Sequence, residues 1–154
     1  MGSASVNKAR VTMADIRKLT DDLSVAPQIS TDDITRVGEN FKSILCNRPD
    51  QEDADQPAYA EIEKLARAQG LTIEFQPVNG SAISDDDIDD FAQHIADLPK
   101  PVLAYCRSGT RCTVMWALSQ AGKQPADEIL QTAAAAGYSL DALRPRMAER
   151  EQDS

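Results

Sequence analysis

The sequence predicts an α/β fold, in which the strands of a sheet are joined by crossover helices. Short apolar runs alternate along the chain with helical stretches that begin at Ser or Pro and end at Gly, and this alternation is typical of such sheets. The chain has 154 residues, of which 42% are hydrophobic. A chain of this length forms one domain and buries a core without disulfide bonds.

Four apolar runs predict strands, at 22–26, 41–46, 71–75 and 101–105. The last run is apolar throughout, which is typical of a central strand buried on both faces. N-cap and terminal signals predict helices between and after these strands. The predicted helices are 31–39, 57–69, 84–97, 111–120, one from Pro125 to near Gly137, and a short last one that Ser139 caps and Pro145 ends.

The charge and hydrophobicity of the chain exclude some classes of binding partner and favour one cellular compartment. The net charge of −9 argues against nucleic acid or an anionic membrane as a main partner. No apolar run reaches the ~18 residues of a membrane span, and residues 1–10 lack the apolar core of a secretory signal. We therefore expect a cytoplasmic protein with a disordered or tag-derived segment at 1–12, one domain at 13–148 and a frayed tail at 149–154.

Cysteine usage indicates reduced thiols. The three cysteines include no C-x-x-C pair, and the chain has one His. We therefore predict no metal site and no cofactor.

The segment 106–111, of sequence CRSGTR, carries the chemistry of the chain. It follows the predicted buried strand and opens the next helix, the place where open α/β sheets bind ligands. The backbone N–H groups of such a turn converge and, with the positive helix end, form a cradle for an anion. A thiolate at Cys106 is stabilised there, so its pKa falls below that of a free thiol.

Each of the other residues of this segment suits the same chemistry. Arg111 can bind two oxygens of an anion, and Arg107 can add positive charge at the rim. Gly109 lacks the Cβ that would block a ligand or a positive φ. Ser108 and Thr110 can donate hydroxyl groups to the sulfur or cap the helix. We predict Cys106 and Arg111 as catalytic residues and the four between them as substrate-binding residues.

The segment 106–111 resembles the active-site loops of rhodanese sulfurtransferases and protein tyrosine phosphatases. The wider chain resembles the phosphatase-like domain of the beta-lactamase-hydrolase-like family, a bacterial sulfurtransferase/phosphatase group. This resemblance covers roughly 19–143 and rests on three motifs in order: ILCNRPD at 44–50, PVNG at 77–80 and CRSGTR at 106–111. It implies a tyrosine-phosphatase-like α/β fold, with a mostly parallel sheet of about four strands and helices on both faces.

Two observations favour sulfur transfer over phosphate hydrolysis. Four residues separate Cys106 from Arg111, whereas tyrosine phosphatases have five, so the cradle is tighter. The segment 78–83, where the resemblance to phosphatases implies a general acid, contains no carboxylate. Sulfite leaves thiosulfate without a proton, whereas a phosphate ester needs an acid to protonate its leaving group.

We therefore predict a rhodanese-type sulfurtransferase. A Cys106 persulfide carries sulfane sulfur from thiosulfate or a low-molecular-weight persulfide to a thiol or cyanide. The alternatives are a cysteine-dependent phosphatase that acts through a Cys106 phosphocysteine, and a non-enzymatic persulfide carrier or redox sensor. The partner is a small anionic sulfur or phosphate substrate, and a sulfide-oxidising enzyme is a further expected partner.

Four further residues are accessory to this site. Cys112 replaces the Ser usual in the family; it packs or caps the helix, or it accepts sulfur from Cys106. Cys46 ends a strand, and by resemblance to some dual-specificity phosphatases it forms a disulfide with Cys106 under peroxide. Asp50 is a general acid or a turn residue, and Arg48 points at the site or holds that turn. We expect the acidic runs 52–55, 85–90 and 149–153 to be solvated faces or tail.

Overall fold

The computed structural model describes residues 15–153, which form a five-stranded sheet with strand order β1-β2-β5-β3-β4. The strands are β1 (Arg17–Lys18), β2 (Leu23–Ala26), β3 (Ser43–Cys46), β4 (Thr72–Phe75) and β5 (Val102–Tyr105). Strand β1 pairs antiparallel with β2, and all other pairs are parallel. The predicted α/β fold with a mostly parallel sheet is confirmed.

Six α-helices and two 3-10 helices accompany the strands in the described residues. They are a 3-10 turn (Thr31–Asp33), α1 (Ile34–Asn40), α2 (Tyr59–Ala68), α3 (Asp85–Asp97), α4 (Thr110–Gln120), α5 (Ala126–Ala135), a 3-10 turn (Asp141–Leu143) and α6 (Arg144–Asp153). None of these helices is long and apolar enough to cross a membrane.

Strand β1 is a fifth strand that the apolar pattern does not predict. Both of its residues are exposed, so the strand has no apolar signal, and its pairing with Val25 and Ser24 of β2 rests on backbone hydrogen bonds.

The C-terminal prediction is wrong. Pro145 lies in the first turn of α6 rather than ending a helix, and the first turn tolerates a residue without an N–H. Residues 149–153 are helical, not frayed, because Arg150 anchors them. Its Nε donates to the Leu118 carbonyl at 2.9 Å, and its guanidinium pairs with Asp85 at 3.1 Å and Asp89 at 2.9 Å. The predicted segment 1–12 lies outside the described residues.

The sheet separates two hydrophobic cores because side chains alternate along its strands. Val102 and Ala104 of β5, followed by Cys106, face a core that contains residues of α3, α4 and α5. Leu103 and Tyr105 face a second core that contains residues of α1 and α2. Helices therefore cover both faces, as predicted, and the central strand holds the start of the 106–111 segment rigidly.

We predict that Leu103→Ala lowers the free energy of unfolding by about 2–5 kcal/mol, because it opens a cavity at a fully buried position of the central strand. The matched control is Leu65→Ala on α2, where the side chain is 38% exposed and the expected loss is below about 1 kcal/mol. Urea unfolding measures both values. Equal losses for the two variants would contradict this account of the core.

Candidate active site

Cys106 lies at the carboxyl end of the central strand, between the ends of β2 and β3. Its N–H donates to the Ala26 carbonyl at 3.3 Å, and the Asn47 N–H donates to the Tyr105 carbonyl at 2.9 Å. Chain segments on both sides therefore hold the strand end in place. The position is the one at which parallel sheets bind ligands, as the sequence predicts.

Gly109 shapes the turn between Cys106 and helix α4. Its φ of +88° is in the left-handed region, which favours glycine. This conformation directs the Gly109 N–H toward Cys106, and the distance from N to Sγ is 3.1 Å. Helix α4 begins at the next residue, so its positive end lies beside the sulfur.

The environment of Cys106 favours a thiolate. A hydrogen bond from the Cys112 thiol is the largest influence, burial opposes it, and N–H groups of Cys112, Ser108 and Gly109 add to the stabilisation. Together they lower the pKa of the Cys106 thiol to about 6. At neutral pH the sulfur is therefore mostly ionised, as a nucleophile requires.

Cys112 acts as a hydrogen-bond donor to the site. It is fully buried, and burial followed by its contact with Cys106 raises the pKa of its thiol well above the ordinary value. Its sulfur also lies 3.2 Å from Oδ1 of Asn47. The thiol donates to this oxygen, so Asn47 and the charged Cys106 sulfur compete for one proton. A protonated, buried thiol is a weak nucleophile, so this geometry favours stabilisation of Cys106 over acceptance of its sulfur.

Arg111 is held by four hydrogen bonds. Its Nη1 donates to the carbonyls of Val78 at 2.9 Å and Asn47 at 3.4 Å and to Glu52 Oε2 at 3.2 Å, and its Nη2 donates to Glu52 Oε1 at 3.3 Å. Within the described residues, these bonds leave the Nε edge of the guanidinium for a ligand. Glycine at position 80 keeps that edge uncovered, because an added Cβ would stand 2.9 Å from Nε.

Glu52 binds two arginines of the site, a contact that the sequence pattern does not predict. The expectation that 52–55 is a solvated acidic run is wrong, because Glu52 and Asp53 bind site arginines. Buried Arg48 donates to Glu52 at 3.0 Å and to Asp53 at 2.7 Å. Burial raises the pKa of Glu52, but hydrogen bonds from Arg111 and Arg48 outweigh it and hold the pKa below its usual range. The spacing of four residues between Arg48 and Glu52 was the one sequence signal that could have indicated this ion pair.

Arg48 and Asp50 organise the acidic loop. The partners of Arg48 among residues 15–153 are Glu52, Asp53 and Gln28, the last at 3.0 Å, and all lie outside the 106–111 segment. The second of its two interpretations is therefore the one observed. Asp50 Oδ1 accepts the Tyr59 N–H at 2.8 Å at the start of α2. This bond is the structural role expected of a turn residue.

Cys46 does not lie beside Cys106. It belongs to the core on the opposite face of the sheet, because Cys46 pairs in register with Tyr105, one residue before Cys106. Burial raises the pKa of its thiol to about 11, and all three cysteines are free. The expected Cys46–Cys106 disulfide is therefore not supported by the geometry.

The remaining residues of the segment form its outer rim. The Arg107 side chain is 64% exposed and lies 3.5 Å from Asp53, so it adds charge at the entrance. Ser108 Oγ accepts the Thr110 N–H at 3.3 Å and donates to Thr110 Oγ1 at 3.0 Å. The Ser108 hydroxyl thus binds the first N–H of α4, although the N-cap residue of this helix is Gly109 and supplies no side-chain cap.

We predict that Cys112→Ala raises the apparent pKa of Cys106 by about one to two units, because a hydrogen bond to a charged group is lost. Cys112→Ser is the matched control, since its hydroxyl keeps the donor. The rate of iodoacetamide alkylation of Cys106, followed against pH by peptide mass, measures the shift. Identical midpoints for the alanine variant and the unaltered protein would contradict the donor role.

Comparisons with known proteins agree with this geometry. A beta-lactamase hydrolase-like protein of Xylella fastidiosa is 34% identical over 125 residues, which cover 79% of this chain and 29% of that protein. One from Agrobacterium fabrum is 34% identical over 105 residues, or 68% of this chain and 24% of that protein. The chain thus spans less than a third of the length of these relatives.

Solved structures show the same architecture. A candidate phosphatase from Neisseria meningitidis is 38% identical, with a TM-score of 0.82 over 90% of this chain and 99% of that one. The catalytic core of the PP-IP phosphatase Siw14 from Saccharomyces cerevisiae, at 14% identity and a TM-score of 0.66 over 88% of this chain and 83% of that one, shares the fold. Residues 15–123 match the family described as the beta-lactamase hydrolase-like protein, phosphatase-like domain, and the chain belongs to that family.

Proposed function

We propose that this domain is a cysteine-dependent phosphatase for small phosphate substrates. The observation that carries the proposal is the buried Cys106 sulfur, which accepts the Gly109 N–H at 3.1 Å at the start of a helix that also supplies Arg111. The family and the likeness to the Neisseria protein support phosphatase chemistry more than the sulfur transfer that the sequence analysis ranks first.

In the proposed reaction, the Cys106 thiolate attacks phosphorus. A sulfur–phosphorus bond forms, and the bond from phosphorus to the leaving oxygen breaks, with the electron pair going to that oxygen. Water then hydrolyses the phosphocysteine, which restores the thiolate and releases phosphate. Loop N–H groups and the Nε edge of Arg111 bind the phosphoryl oxygens and stabilise their charge in the transition state.

The site favours leaving groups that depart without a proton. Among the described residues, Glu52 and Asp53 are the carboxylates beside the site arginines, and both are ion-paired. An ionised carboxylate that binds arginine is a poor proton donor. We therefore propose that the substrates are phosphoanhydrides, or aryl phosphates whose leaving group is an acidic phenol.

Sulfur transfer is the second candidate, because four residues separate Cys106 from Arg111 and a tighter cradle suits a persulfide. In that reaction Cys106 attacks the outer sulfur of thiosulfate, a new sulfur–sulfur bond forms, and sulfite departs with the electron pair. The persulfide then passes its outer sulfur to cyanide or a thiol. A sulfide-oxidising partner enzyme would belong to this candidate.

We predict that the protein hydrolyses p-nitrophenyl phosphate and that Cys106→Ser lowers the rate at least ~100-fold, because the nucleophile is lost. Cys46→Ser is the matched control: it alters a buried cysteine in the opposite core and leaves the rate within about threefold.

The same three proteins are mixed with thiosulfate and cyanide. Thiocyanate production in repeated turnovers without phosphate hydrolysis would replace the phosphatase proposal with sulfur transfer. Stoichiometric loading of sulfur without turnover would instead indicate a carrier.

We also predict that the rate falls steeply as the leaving group becomes more basic, since no proton compensates its charge. The comparison is p-nitrophenyl phosphate against phenyl phosphate at matched concentration, with an expected ratio in kcat/KM of at least ~100. Nearly equal rates would show that a proton donor acts in the site and would refute the proposed substrate class.

A further inference from the structure

Tyr138 lies beside the 106–111 segment because of the way helix α5 ends. Gly137, at a φ of +100°, is the left-handed residue after the helix, and its N–H donates to the Ala134 carbonyl at 2.9 Å. The Tyr138 N–H donates to the Ala133 carbonyl, also at 2.9 Å. This pair of bonds is the Schellman motif, and it fixes the direction in which the chain presents Tyr138.

The Tyr138 side chain is half-buried against the core that contains Cys106 and Cys112. Its hydroxyl donates to the Ser108 carbonyl at 3.2 Å. It also fills the space beside Gly109, since an added Cβ there would overlap the hydroxyl oxygen. The hydrogen bond and the steric contact of this oxygen place the phenol against the Ser108–Gly109 peptide unit.

That peptide unit is the one that binds the nucleophile. The carbonyl of Ser108 and the N–H of Gly109 point in opposite directions from one planar trans peptide. The carbonyl accepts from Tyr138, and the N–H donates to Cys106 Sγ at 3.1 Å. A donor on the carbonyl holds the plane in this orientation and polarises the N–H, which strengthens its bond to the sulfur.

We propose that Tyr138 is a positioning residue, whose hydroxyl fixes the Ser108–Gly109 peptide with its N–H directed at the sulfur of Cys106. The inference builds on the role of Cys106 as nucleophile in the proposed function. It assigns to a residue 30 positions beyond Ser108 a role in keeping the anion cradle formed.

The charges around the site are consistent with a neutral phenol. The charged and titratable groups that act on the Tyr138 phenol are Cys106, Cys112 of α4, Arg17 of β1 and Asp15. Burial, followed by the negative charge of Cys106 and then of Cys112, raises the pKa of Tyr138 above its ordinary value. The phenol therefore remains protonated and able to donate throughout the neutral range.

The test is Tyr138→Phe, which keeps the ring and its packing and removes only the hydroxyl. Tyr59→Phe is the matched control, because Tyr59 stacks on Phe75 at the start of α2, away from the 106–111 segment. The readout is the rate of iodoacetamide alkylation of Cys106 against pH, with thermal unfolding recorded to establish that each variant is folded.

We expect Tyr138→Phe to raise the alkylation midpoint of Cys106 by about 0.5–1 pH unit, the effect of one weakened hydrogen bond. Tyr59→Phe should leave the midpoint unchanged. An unchanged midpoint for a folded Tyr138→Phe protein would overturn the proposal, and so would an equal shift in Tyr59→Phe. Alkylation requires no substrate, so this result is independent of whether the domain hydrolyses phosphate or transfers sulfur.

Discussion

A negative charge on a buried sulfur is the interaction on which the site depends. A charge removed from water is unfavourable unless donors replace the lost solvent. Cys106 is 1% exposed, and its donors come from the loop backbone, the start of α4 and the thiol of Cys112. Each donor is itself fixed by an element of the fold. Because the cradle is built before a ligand arrives, it can bind a negatively charged group without reorganisation of the loop.

A second constraint is the balance of charge around the cradle. Arg111 and Arg48 share the carboxylate of Glu52, and Arg48 and Arg107 share that of Asp53. Buried arginines need such partners, so the acidic loop belongs to the site although the chain as a whole is acidic. Glu52 accepts hydrogen bonds from both Nη atoms of Arg111. The Nε edge stays open to a ligand because Gly80, beside it, has no Cβ. This division determines which face of the guanidinium meets an oxyanion.

Apolar runs and capping residues predicted most strands and helices and the position of Cys106. The four parallel strands, the Ser84 cap and the position of Cys106 at a strand end follow from apolar runs and capping residues. Strand β1 did not, because two exposed residues carry no pattern, and α6 did not, because its anchors Asp85 and Asp89 lie more than 60 residues away. The contacts of Glu52 and Tyr138 with the site were not predicted for the same reason, since each joins residues far apart in the sequence. Cys46 does end a strand beside that of Cys106, but the strand register places its side chain on the opposite face of the sheet, so the geometry does not support the expected disulfide.

The most direct test of this account is the ultraviolet titration of the Cys106 thiolate, taken as the difference between the unaltered protein and Cys106→Ser. The account predicts a single ionisation with an apparent pKa of about 6. A midpoint close to that of a free thiol, about 8.5, would show that the loop does not stabilise the sulfur and would contradict the central claim.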